Sequence, residues 1–328
     1  MASTYRAHVC SRYGDENALT IETRPPLVVG DDELIISNEA FTVGFPDLLT
    51  VRGEYQRKPD CPFVPGSEFA GRVLEAGANV RGIGSGDAVI GSVLFGAFAE
   101  NVLAPAASCF PLPAAFDFPS GAAFLTAYKT AYVGLVERGG LGAGDTLLVT
   151  GAAGGVGLAA VELGRILGAT VIACASTEAK RAAALAAGAN AVIGYDALRS
   201  EVKQITDGRG VDVVYEPVGG DCFDEALRCL APFGRMLVIG FAGGRIPAVA
   251  VNYVLLKQIS VVGVRAGEFG RVDPAAGRRV TAKLLQLAEA GRLHPRVHTR
   301  LPFESLGQAF SVLSSRQAIG RVVIDLGL

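Results

Sequence analysis

The chain has 328 residues, half of them hydrophobic and 19% charged, which is enough apolar material for two domain cores and excludes general disorder. Thirty basic against thirty-two acidic side chains give a net charge of −2 without any basic tract, so nucleic acid has no electrostatic footprint to bind. The N-terminal residues carry no apolar signal segment, and no run reaches the ~18 apolar residues of a membrane span, so a soluble, cytoplasmic protein with no membrane partner is expected.

From residue 5 to about 104, short apolar runs such as Leu34–Ile36, Ala70–Leu74 and Asp87–Gly91 alternate with Gly, Pro and Asp. That punctuation predicts the strands of a barrel or sandwich. Pro105, Pro111, Pro113 and Pro119 lead into a helical stretch at Gly121–Arg138, where a domain boundary is expected. From Thr146 the rhythm changes to strands at Thr146–Thr150, Thr170–Cys174, Ala191–Ile193, Val211–Tyr215 and Met236–Gly240. Helical segments at Gly155–Leu167, Glu178–Ala187, Leu198–Ile205 and Asp221–Leu230 separate them. Such alternation predicts a doubly wound α/β parallel sheet covered on both faces. After Ile259–Val264 come a long helix near Pro274–Arg292, a segment Phe303–Ser315 and a last strand Arg321–Asp325, a tail expected to return to the first domain.

The six cysteines, Cys10, Cys61, Cys109, Cys174, Cys222 and Cys229, form no Cys-x-x-Cys pair and read as small core residues rather than a disulfide framework. The three histidines are His8, His294 and His298, and Pro295 interrupts the only helical spacing among them, so no metal site is expected. The strongest local signal is Gly151-Ala152-Ala153-Gly154-Gly155-Val156-Gly157, placed between a strand and a helix. Gly154 allows close approach of a pyrophosphate, Gly157 allows close helix–strand packing, and the amides at the helix start would hold phosphate. Ala152 replaces the first glycine of the usual fingerprint. The acid that grips a ribose 2′-hydroxyl is missing from the tip of the second strand, Ala173–Ser176, and Lys180 and Arg181 follow instead. Ser176, Lys180 and Tyr195 together suit a 2′-phosphate, which favours NADPH over NADH.

These residues resemble the medium-chain dehydrogenase/reductase superfamily, and within it the zinc-free quinone oxidoreductase branch. The resemblance spans the chain through Gly44–Asp47, Val64–Gly71, Gly86–Val89, Thr126–Tyr128, Ala152–Gly157, Glu216–Gly220 and Ile239–Gly244. In zinc-dependent relatives a Cys lies in the segment matching Gly44–Asp47 and a His precedes the match to Glu68; here Phe45 and Ser67 stand thereabouts, and the four-cysteine zinc lobe is missing. The resemblance implies a Rossmann-type sheet plus a GroES-like β-barrel-type catalytic domain. It places the catalytic domain at 1–122, the NADP(H) domain at 123–260, and a return segment at 261–328. It implies cofactor contacts from Thr126, from Gly151, Ala152, Ala153, Gly154, Gly155 and Val156, and from Ser176, Lys180 and Tyr195. Further contacts are expected from Val218, Gly240, Phe241, Ala242, Val264 and Arg321.

Tyr55 matches a family tyrosine near the substrate and is the candidate catalytic hydrogen-bond donor. Asp47 is expected to bond backbone amides in its own loop. An Asn common in the family is replaced by Gly44, which implies a lost side-chain hydrogen bond and a larger or differently oriented substrate pocket. The implied reaction is zinc-independent hydride transfer from NADPH to a quinone or an activated conjugated carbonyl compound. The alternatives are an enoyl-type double-bond reductase and an NADPH-binding protein with little turnover. Relatives also commonly join two copies through the edge matching Ile259–Val264, so a homodimer through the Rossmann domain is expected.

Overall fold

The computed structural model describes residues 4–328, the side chain of Glu16 apart. The chain forms two compact units: one runs up to Leu125 and takes in Ala288–Leu328, and the other is Thr126–Leu287.

In the first unit, β1 (Tyr5–Cys10) and β2 (Leu19–Arg24) make an antiparallel ribbon. The long β3 (Glu33–Val43) is the spine of a larger sheet, pairing antiparallel with β4 (Glu68–Ala76), which pairs with β5 (Ala88–Ser92). β6 (Asn101–Pro105) adds to β3, and β7 (Cys109–Pro111) to β5. Register shifts in the β3–β4 pairing bend the sheet, and Gly71 sits at one of them: a Cβ there would lie 2.1 Å from the Ser37 carbonyl oxygen. The short α1 (Phe45–Val51) follows β3, and α2 (Phe118–Ala122) is capped by the Asp117 side chain, which accepts from the Ser120 amide. Phe41, Phe69, Phe98 and Phe310 are fully buried in this unit's core.

In the second unit α3 (Leu125–Tyr132) leads to β8 (Thr146–Val149), α4 (Gly155–Ile166), β9 (Thr170–Cys174), α5 (Glu178–Ala186) and β10 (Ala191–Ile193). Then follow α6 (Leu198–Ile205), β11 (Val211–Glu216), α7 (Gly220–Leu227), β12 (Leu230–Val238), α8 (Val251–Lys257) and β13 (Ser260–Gly263). The six strands are parallel in the order β10-β9-β8-β11-β12-β13, the Rossmann order, with its reversal between β8 and β11. α9 (Ala266–Val272) and α10 (Pro274–Glu289) complete the helices. The chain then returns with β14 (Val297–Leu301), α11 (Leu306–Ser314) and β15 (Arg321–Asp325). β15 pairs antiparallel with β3, closing the sheet order β14-β15-β3-β4-β5-β7.

The return comes later than the expected 261, at Ala288, because β13 pairs parallel with β12 and remains in the six-stranded sheet. The first crossing falls at Leu125–Thr126, three residues past the expected 122. The helix expected over Asp221–Leu230 stops at Leu227, since Leu230 already pairs with Val211 in the sheet. Among the described residues, no helix is long and apolar enough to cross a membrane.

The corner between β3 and α1 holds buried charge. Asp47 accepts the Gly44 amide at 2.8 Å, which caps α1 as the sequence suggests, and the Ser67 hydroxyl approaches its other oxygen at 3.5 Å. Glu68, 2% exposed, takes the Thr42 hydroxyl at 3.2 Å and an ion pair with Arg321. Burial pushes the Asp47 carboxyl up to about 7; the Gly44 amide and the Arg321 guanidinium oppose that rise, and the Glu68 charge adds to it. The guanidinium thus pairs with Glu68 and reaches Asp47 only through its charge.

A folded value of about 7 for Asp47 lies above its unfolded value, ~3.9, so the stability it contributes is present below pH ~4 and lost as pH rises through about 7. Asp47→Asn keeps an acceptor for Gly44 and removes the titration. The variant should gain on the wild type by about 2–4 kcal/mol in unfolding free energy between pH ~4 and pH ~8. Urea titrations at a series of pH values check this, and a pH-independent difference would show that Asp47 is ionised throughout.

Candidate functional site

The C-terminal ends of the parallel strands carry most of the residues singled out in the sequence. β8 is apolar and buried, and after it Thr150 is also fully buried. The chain turns at Gly151, whose φ of +56° lies in the left-handed region, and the Gly154 amide donates to the Gly151 carbonyl at 3.0 Å. The positive-φ turn therefore occurs one residue before Ala152, which is fully buried with its amide on the Cys174 carbonyl at 3.1 Å. That is why an alanine fits where the fingerprint has glycine.

Gly154 is the N-cap of α4, with Gly155 and Val156 in the first turn, where amides have no preceding helical carbonyl. A Cβ on Gly154 would meet nothing closer than 3.5 Å, so its surroundings are open. A Cβ on Gly157 would lie 2.3 Å from the Gly151 carbonyl oxygen and 2.8 Å from the Ala152 Cα. The helix thus packs directly on the loop. Open space above the amides and close packing beneath them fit a dinucleotide pyrophosphate.

Beside this loop, Lys180 Nζ donates to Ser176 Oγ at 3.5 Å, at the junction of β9 and α5. Thr177 caps α5 by accepting the Lys180 amide, and Arg181 bonds the Ala175 carbonyl at 3.2 Å. Tyr195, after β10, accepts the Gly151 amide on its hydroxyl at 3.0 Å. Burial pushes its phenol well above the usual range, so it stays protonated. Ser176 and Lys180 are thus brought together as expected, while Tyr195 also props the glycine loop.

The loops after β11 and β12 are zipped to each other. The Ala242 amide donates to Pro217 O at 3.1 Å, the Gly243 amide to Val218 O at 2.6 Å, and the Gly220 amide to Arg245 O at 3.0 Å. Val218, Gly240, Phe241 and Ala242 all lie on these loops. Val264 closes the end of β13, its amide donating to Val238 O at 3.0 Å.

Beneath them lies a residue that the sequence reading did not single out. Glu216 is fully buried and accepts the Val218 amide at 2.9 Å, the Gly219 amide at 2.8 Å and the Thr150 hydroxyl at 3.0 Å. Burial raises its carboxyl, and the Gly219 and Val218 amides and the Thr150 hydroxyl pull it down. Its signal in the sequence was a carboxylate ending the apolar run Val213–Tyr215. Thr126 is positioned from α3, which is tied to α4 by the Tyr128 hydroxyl donating to Glu162 at 2.6 Å.

In the barrel-type unit, Tyr55 is half-buried just after α1, its amide donating to Leu49 O at 3.1 Å. Arg321, expected near the cofactor, has its guanidinium engaged by Glu68 and Thr42. A Cβ at Gly44 would lie 3.2 Å from Arg321 Nη1, so the guanidinium occupies the space that a side chain at 44 would enter. Among the described residues, no group of three or more His, Cys, Asp or Glu side chains could hold a metal ion.

Two family models match the chain: an alcohol dehydrogenase GroES-like domain over residues 30–114, and a zinc-binding dehydrogenase domain over residues 155–285. The chain is 36% identical to quinone oxidoreductase-like protein 2 of Rattus norvegicus, over 98% of this chain and 92% of that one. It superposes on the Escherichia coli quinone oxidoreductase complexed with NADPH with a TM-score of 0.89 at 28% identity, covering 98% of this chain and 99% of the other. A mycobacterial protein complexed with NADPH gives a TM-score of 0.91 at 30% identity, covering 98% and 99%. With its Rossmann and GroES-like units and these full-length relatives, the chain belongs to the medium-chain dehydrogenase/reductase superfamily, in the zinc-free quinone oxidoreductase branch.

Proposed function

We propose that this protein is a zinc-independent, NADPH-dependent oxidoreductase that reduces quinones or activated conjugated carbonyl compounds. The observation that carries the reading is the Lys180–Ser176 pair beside the glycine loop, where NAD-selective folds place an acid. A cation and a hydroxyl there attract a 2′-phosphate, whereas a carboxylate would repel it. When bound, the nicotinamide cofactor supplies the hydride.

The chain's own residues bind and orient. The amides of Ala153, Gly155 and Val156 hold the pyrophosphate, with Gly151, Ala152 and Gly154 setting the loop's shape. Tyr195 and Glu216 fix that loop and its neighbour from below, through the Gly151, Val218 and Gly219 amides. Thr126, Val218, Gly240, Phe241, Ala242 and Val264 line the remaining cofactor surface. Tyr55, a phenol, is the hydrogen-bond donor assigned to the acceptor's developing oxygen charge. Arg321 acts by holding Glu68 and the β3–α1 corner rather than by touching the cofactor. The absence of a His or Cys ligand at Ser67 and Phe45 supports turnover without zinc.

A homodimer in the cytoplasm completes the proposal. β13 is an edge strand of the six-stranded sheet, and Val251, Leu255, Leu256 and Val261 are exposed on or just before it. Exposed apolar surface along an open strand edge suits a second copy added across a two-fold axis.

Lys180→Ala should weaken NADPH by roughly 1.5–3 kcal/mol and leave NADH nearly unchanged. Cofactor titrations decide, and equal losses would remove the assignment. NADPH oxidation with a panel of quinones and enones should persist after prolonged chelation; stoichiometric zinc in the active protein would overturn zinc independence. Light scattering should give twice the mass of one chain, and Val261→Lys should halve it; a wild-type monomer would sink the dimer.

A further inference from the structure

Cys10 ends β1 and is fully buried, whereas Cys61 lies in the segment after α1 and is only half-buried. Two backbone hydrogen bonds hold these stretches side by side: the Cys10 amide donates to Phe63 O at 2.8 Å, and the Phe63 amide to Cys10 O at 3.2 Å. Cys61, two residues before Phe63, lies near enough for its thiol to push the Cys10 thiol up further, and the Cys10 thiol donates to Arg12 O at 3.1 Å. Tyr13 flanks the pair, its ring 6.2 Å from that of Phe63 and its hydroxyl donating to the Pro59 carbonyl. The other cysteines sit differently. Cys109, Cys174 and Cys229 are buried, and Cys222 is half-buried in α7, where burial and the Glu216 charge push its thiol up.

We propose that Cys10 and Cys61 form a reversible dithiol–disulfide pair, an oxidation site in the barrel-type unit whose oxidant is a peroxide. The more exposed Cys61 reacts first: its sulfur attacks a peroxide oxygen, the O–O bond breaks, and water or an alcohol leaves with Cys61 as sulfenic acid. The Cys10 sulfur then attacks the Cys61 sulfur, the S–O bond breaks, and water carries away the Cys10 proton. Two thiols lose two electrons in all, and one peroxide gains them. Burial holds the Cys10 thiol up to about 11, which keeps it protonated and assigns it the second step. The Cys10–Phe63 bridge already holds the two stretches side by side, so closure to the ~2.05 Å bond starts from adjacent chain segments. The bond fastens the end of β1 to the segment that follows Tyr55. The site stands independently of the cofactor reading.

The test treats the whole protein with hydrogen peroxide, blocks remaining thiols with an alkylating agent, and maps peptides without reduction. The expected result is loss of two of the six thiols and one linked peptide pair, Cys10 with Cys61, reversed by dithiothreitol. Cys10→Ser should leave Cys61 as a sulfenic acid that a cyclic 1,3-dione labels, and Cys61→Ser should leave Cys10 reduced. If a variant does not fold, the wild-type map decides alone. Oxidation of Cys61 beyond sulfenic acid without a link, a link between Cys61 residues of two copies, or prior oxidation of another cysteine would overturn the proposal.

Discussion

The site depends first on how closely one helix can approach one turn. Gly157 brings α4 against the carbonyl of Gly151 and the Cα of Ala152, at distances that leave no room for a Cβ. That approach sets where the first-turn amides of α4 lie above the end of β8. A side chain at 157 would lift the helix and carry every amide of its first turn with it. The left-handed turn at Gly151 is the other half of the constraint, since it swings the chain back toward the helix start. Tyr195 and Glu216 then hold the arrangement from neighbouring strands, each through backbone amides rather than through another side chain alone.

The barrel-type unit solves a different problem with the same means. Asp47, Glu68 and Arg321 come from three separate stretches of chain, and bury two carboxyl groups near one guanidinium, which pairs with Glu68. A buried ionic group is weak evidence for stability, because desolvation offsets much of the attraction. Its value here is positional: the network fixes the loop from Gly44 to Asp47, the Thr42 end of β3 and the start of β4 in one register. Gly44 belongs to this arrangement, since the guanidinium of Arg321 would lie 3.2 Å from a Cβ there and takes the room that a larger residue needs.

Much of this was legible in the sequence, and the exceptions have physical causes. The alternation of apolar runs and helical segments gives all six parallel strands, because each is a short apolar run separated from the next, and the inner strands β8, β9 and β11 are buried along most of their length. The glycine loop was readable because its spacing is dictated by local backbone geometry. The second domain boundary was not. β13 reads as an edge strand in either unit, and only its pairing with β12 fixes its membership. Glu216 was not singled out, and the ion pair of Arg321 was not foreseen, for the same reason. A buried charge looks like a surface charge until its partners are known, and those partners lie at Val218 and Thr150 for one, and at Thr42 and Glu68 for the other.

The placement of ionisable groups also constrains the chemistry. Asp47, Glu68 and Glu216 are buried carboxylates whose oxygens accept from backbone amides, hydroxyls or a guanidinium, so a reacting proton has no short route to them without breaking the bonds that hold the loops. General acid–base catalysis works best when the group's affinity for protons lies near the working pH and its oxygen reaches the substrate. Asp47 meets the first condition through burial, but its oxygens are committed to Gly44 and approached by Ser67. Under the function proposed above, a substrate would therefore depend on shape and on neutral hydrogen-bond donors, the role proposed for the Tyr55 phenol. Such a site suits a reaction whose difficulty lies in bringing a hydride donor and an electron-poor acceptor together without water, because there positioning alone can remove much of the barrier.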